Sequence, residues 1–214
     1  MFVYSLPRPF SLLALVMAAL ALSAALLPAS TVGTLYSEEG PVESLAVLVW
    51  LVLAALLLWW RRPPLLSIAW AVVAAVLALR EAGLPPALFP SGKRLLTVAY
   101  YLDPSVALGN RMLGGVLVLA SLACLGYGIG ATGWRMWRRR AWREPLIGVM
   151  LVAAGALLLG QLFEALPGWL ESISSQPAPQ LVAGICLALE EGLELLCPSM
   201  LAYAVWRGKG MSLG

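Results

Sequence analysis

Three carboxylates, Glu190, Glu191 and Glu194, stand inside an otherwise apolar stretch, residues 181–206, LVAGICLALEEGLELLCPSMLAYAVW. On a helix Glu190 and Glu194 share a face, and Glu191 lies about 100° round from Glu190. Adjacent like charges and burial both favour the neutral acid, so at least one of the three is expected to hold a proton at neutral pH. A protonatable carboxylate within a membrane span is an ingredient of proton coupling and of cation binding. The ten Leu, Ile and Val residues of this stretch favour insertion by about 3–6 kcal/mol, whereas three ionised carboxylates near its centre oppose it by about 7–10 kcal/mol. Alone in lipid this helix inserts poorly, so other elements must receive the carboxylates.

The remaining chemistry is sparse. Histidine is absent, which removes the commonest general base and the commonest transition-metal ligand. No Ser or Cys nucleophile with a base, no P-loop and no dinucleotide fingerprint occurs. The chain is expected to be non-catalytic, without cofactor or resident metal. An enzyme acting on lipid headgroups through Glu190 or Glu194, with Arg80 on a phosphate, is a third reading behind the two below. Cys186 and Cys197 are eleven residues apart, about 16 Å along a helix, too far for a disulfide or for one metal to span the stripe. With Cys124 they read as core thiols.

The 214 residues are 61% hydrophobic and 12% charged, with a mean hydropathy of +0.88. A soluble domain of this length needs more charge to cover its surface. Repeated apolar runs of about 20 residues, without the ten-residue alternation of a barrel, predict an all-α, polytopic six-helix transmembrane bundle forming one domain, 1–214. The expected spans are 11–27, 41–60, 65–84, 112–132, 145–166 and 181–206. The first could instead be a signal peptide, but its apolar run is long and LPAS is a poor cleavage site. Residues 31–44, with Glu38, Glu39 and Glu43, read as an acidic loop. The segment between the third and fourth spans, PPALFPSGKRLLTVAYYLDPSVALGNR, reads as re-entrant or interfacial. Short likenesses between the ends of the third and fifth spans, LREAGLPPAL and LFEALPGWL, hint at a duplicated hairpin.

Basic residues set the orientation. With the N-terminus inside, ten of them face the cytoplasm: Arg8, Arg61, Arg62, the five between Arg135 and Arg143, Arg207 and Lys209. Four face outward: Arg80, Lys93, Arg94 and Arg111. That bias predicts cytoplasmic N- and C-termini. Arginine-rich, alanine- and leucine-rich usage suggests a GC-rich bacterial genome, hence the inner membrane. The run WRMWRRRAWRE beside a helix end fits anionic lipid at the cytoplasmic face, not nucleic acid.

Counting inward from the interfacial tryptophans puts Glu190 about 5 Å and Glu194 about 10 Å below the outer boundary. Glu43, Glu81 and Arg80 fall at similar depth, and Glu164 and Arg111 near the same edge; Gln161 stands with Glu164 at the end of the fifth span. The expected site is therefore Glu43, Glu81, Glu164, Glu190, Glu191, Glu194 and Gln161, with Arg80, Arg111, Lys93 and Arg94 as ion-pair or anion contacts. Three uses compete for this layer: structural ion pairing, a site for a cation, proton or cationic solute, and a surface for a partner membrane protein or a second copy. The first functional expectation is a small transporter or solute-binding protein; the other is a non-catalytic subunit or assembly factor of a larger membrane complex.

Overall fold

The computed structural model describes residues 7–37, 40–60, 63–83, 98–139 and 145–208. Among these the chain is all-helical, with no strand: α1 Pro7–Leu26, α2 Ala29–Tyr36, α3 Pro41–Trp60, α4 Pro64–Glu81, α5 Val98–Leu102, α6 Leu108–Arg139, α7 Pro145–Ser174 and α8 Gln180–Gly208. Five helical segments among the described residues are long and apolar enough to cross a membrane: 9–26, 29–59, 64–81, 108–138 and 147–174. The second joins α2 to α3 through residues 38 and 39, which lie outside the described set. α8 is 29 residues long, about 43 Å, but its three glutamates interrupt the apolar run.

Burial is arranged for a lipid surround. Leu15, Leu119 and Leu158 are 67%, 69% and 68% exposed, whereas Glu191 and Glu194 are 7% and 4% exposed. Many large apolar side chains face out while Glu81, Glu191 and Glu194 face in, unlike a water-soluble fold.

α8 is the hub. It packs on α7, α3, α1 and α2, while α4 lies against α3 and α6 against α4. The central core joins Trp50, Leu53 and Ala54 of α3, Ala71, Ala74 and Ala78 of α4, Val152 and Ala153 of α7, and Cys197 and Met200 of α8. Many of these are alanines, which let helix backbones approach closely where lipid supplies no hydrophobic drive between helices. Cys186 and Cys197 are buried and Cys124 partly so, and all three thiols are free.

Several boundaries differ from expectation. Residues 31–44 are not simply an acidic loop: α2 occupies Ala29–Tyr36, with Val32 and Tyr36 buried against Ala24 and Ala188. Tyr36 and Ser23 hydroxyls are 3.2 Å apart, pinning α2 to α1. α6 continues to Arg139 and α7 to Ser174, through Pro167. α4 stops at Glu81 because Gly83, at φ +64°, turns left-handed and its amide donates to the Arg80 carbonyl at 3.2 Å. That stop leaves Arg80 and Glu81 in the last turn of α4.

Candidate functional site

Glu194 is the point where three helices meet through polar atoms. Its Oε1 accepts from Arg80 Nη2 of α4 at 3.3 Å and from Gln161 Nε2 of α7 at 3.0 Å. Arg80 Nε lies 3.9 Å from Glu81 Oε1. The side chains of Glu81 and Glu194 are 7% and 5% exposed, against 48% for Arg80. A half-exposed guanidinium therefore reaches inward to two buried carboxyl groups, making one contact with each and no bidentate fork.

Local sequence explains the meeting. α7 lies close to α8 at Gly160, beside Gln161: a Cβ at that position would meet Glu194 Cγ at 3.6 Å and the Glu190 carbonyl at 3.5 Å, ordinary van der Waals contact that leaves little room for a larger side chain. Four residues beyond Glu194, the fully buried Pro198 has no amide hydrogen to give the Glu194 carbonyl, so α8 lacks that backbone bond at the site. Neither Gly160 nor Pro198 was part of the expected site. The spacing of Pro198 from Glu194 is visible in the sequence; the role of Gly160 needs the helix pairing.

Glu191 points into the same neighbourhood. It interacts electrostatically with Glu194, Glu190, Glu43 and Glu81, in that order, and Glu81 does so with Glu194, Arg80 and Glu43. The first turn of α3, the last turn of α4 and the middle of α8 thus bring five carboxyl groups together. Glu191 is buried and receives no hydrogen bond from any described residue. Among the described residues no three His, Cys, Asp or Glu side chains are gathered closely enough to hold a metal ion.

Two expected members stand apart. Glu164 is exposed on α7. Arg111 donates through Nε to the Val106 carbonyl at 2.7 Å and through Nη1 to the Tyr101 carbonyl at 3.3 Å. It ties α5 to the start of α6, where Tyr100 is fully buried and donates to the Asn110 carbonyl at 3.3 Å. Lys93 and Arg94 lie outside the described residues, as do Arg61, Arg62, Arg140, Arg143 and Lys209.

No protein-family model, no curated protein and no solved structure matches this chain. The fold and the site define its class on their own terms: a helical protein with five described segments long and apolar enough to cross a membrane, in which one arginine reaches two buried carboxyl groups.

Proposed function

We propose that this chain is a small transporter or solute-binding protein of a bacterial inner membrane, with α8 as a sixth span and both termini cytoplasmic. Its acidic cluster receives a cation, proton or cationic solute near the outer face. The observation that carries the reading is Glu191: a buried carboxyl group without a hydrogen-bond donor among the described residues, facing Glu81 and Glu194, which share one half-exposed guanidinium. Purely structural ion pairing would be expected to give each buried carboxyl group a basic partner, whereas one without such a partner is held as the neutral acid, which has a proton to release. A site that exchanges protons or cations keeps such a group in reserve.

Flux in proteoliposomes tests this. A panel of H⁺, Na⁺, K⁺, methylammonium and guanidinium is expected to include at least one species carried by the wild type. Glu194→Gln is expected to reduce that flux to the level of empty liposomes while the variant elutes as a folded protein. Wild-type flux in Glu194→Gln removes the site assignment, and absence of flux for every species removes transport.

A second reading, a non-catalytic subunit of a larger membrane complex, draws on α6. It packs chiefly on α4, and most of its length is not buried by the rest of the bundle. Native mass spectrometry after mild extraction separates the two: a stoichiometric protein partner supports the subunit, and a monomer or homo-oligomer supports the transporter.

A further inference from the structure

The guanidinium of Arg80 sits unlike an ordinary structural counter-ion. Its side chain is 48% exposed, while the two carboxyl groups it reaches are 7% and 5% exposed. Its contacts are single and long, 3.3 Å to Glu194 and 3.9 Å to Glu81. A bidentate arginine–carboxylate pair places two N–H groups on two oxygens at about 2.7–2.9 Å. Oε1 of Glu194 already accepts from Gln161 at 3.0 Å, so the carboxylate stays in place when Arg80 moves. Glu191, buried and without a donor among the described residues, faces the same carboxyl groups. Glu81 and Glu194 also meet each other through a side-chain hydrogen bond, so the pair does not depend on Arg80 alone.

We propose that Arg80 is the tethered, exchangeable occupant of a guanidinium-type cation site formed by Glu81, Glu194 and Gln161, with Glu191 as a reserve carboxyl, and that a free guanidinium-type solute competes for its place. This deepens the cation-site reading above and rests on it. Arg80 sits in the last turn of α4, beside the break at Gly83. Swinging outward, it frees a slot in which Glu194 and Glu81 can accept together from one planar donor, a geometry that suits guanidinium better than an ammonium or an alkali ion. The same contact acts as self-inhibition: while Arg80 is in, the solute is out.

Removing the tether tests the proposal at equilibrium. In nanodiscs, Arg80→Ala is expected to melt below wild type, and millimolar guanidinium chloride is expected to raise its Tm by about 2–4 °C. Wild type, already occupied, is expected to shift far less, and potassium or tetramethylammonium chloride to leave Arg80→Ala unchanged. The double variant Arg80→Ala/Glu194→Gln is expected to lose the guanidinium response. If Arg80→Ala does not yield folded protein, Arg80→Gln replaces it with the same expected shift. An equal response to potassium, a response that survives Glu194→Gln, or no response in either arginine variant overturns the proposal. So does failure of both variants to fold with guanidinium present throughout extraction. These shifts require no transport. Rescue without flux retires the transporter and keeps the site; flux without rescue retires the exchangeable arginine and keeps the transporter.

Discussion

Glu194, Arg80 and Gln161 couple α8, α4 and α7 through two hydrogen bonds, one of which is also the ion pair. Deleting the arginine leaves Glu81 and Glu194 buried without their cation, whereas neutralising one carboxyl group leaves Arg80 the other. Arg80→Ala is therefore expected to be the more destabilising change, by about 2 kcal/mol. That is below the 3–5 kcal/mol of a fully buried broken pair, because Arg80 is half exposed. Glu81→Gln in the Arg80→Ala background is expected to recover part of the loss. Thermal melts of the four proteins in this cycle check both statements; equal losses for Arg80→Ala and Glu81→Gln would show that the guanidinium does not neutralise the pair.

At the scale of elements, what places the cluster is how closely helices approach. A Cβ on Gly192 would run into the Leu20 side chain of α1. Gly192→Val is expected to push α1 from α8 at a loss of about 1–3 kcal/mol, seen as a lower Tm and faster amide exchange in α1; an unchanged melt would mean that Leu20 simply rotates away. Gly83→Val forces a β-branched residue into a left-handed turn and is expected to cost about 1–3 kcal/mol, again read by melting. The elements themselves were largely legible. Apolar runs disclosed the long helices, and α3 coincides with the run 41–60. Ends were less so, because hydropathy measures membrane thickness and not helix length. α6 continues past its apolar part through Trp134 and Arg135, residues a helix tolerates well, and α7 passes Pro167. α2 was missed because TVGTLY is short and polar enough to read as loop; its helix depends on burying Val32 and Tyr36 against α8. The carboxylates and Gln161 were visible as charge and amide within apolar sequence. Which of them meet was not, since Glu194 is 33 residues from Gln161 and 114 from Arg80, and Arg111 and Glu164 lie at a similar expected depth yet face elsewhere.

For the whole molecule, polarity is turned inside out around α8, which the rest of the bundle shields from lipid. The arrangement makes α8 dependent on its neighbours: its carboxyl groups oppose insertion, α4 and α7 supply polar contacts to Glu194, and α7, α3, α1 and α2 supply cover. If α8 spans the bilayer, single cysteines placed at Ser175 and Arg207 in a background with Cys124, Cys186 and Cys197 replaced are expected to label from opposite sides. Labelling of both from one side would contradict six spans.

The most direct test of a cation site is chemical capture of its carboxyl groups. Dicyclohexylcarbodiimide adds to carboxyl groups in apolar surroundings, and peptide mass spectrometry locates the adduct. A cation site predicts modification of the α8 peptide, with Glu191 as the leading position because it has no donor among the described residues, slowed by the cation that the flux panel identifies. Absence of adduct on Glu81, Glu191 and Glu194 alike, or modification that no cation slows, would contradict it and leave the cluster a structural lock between helices.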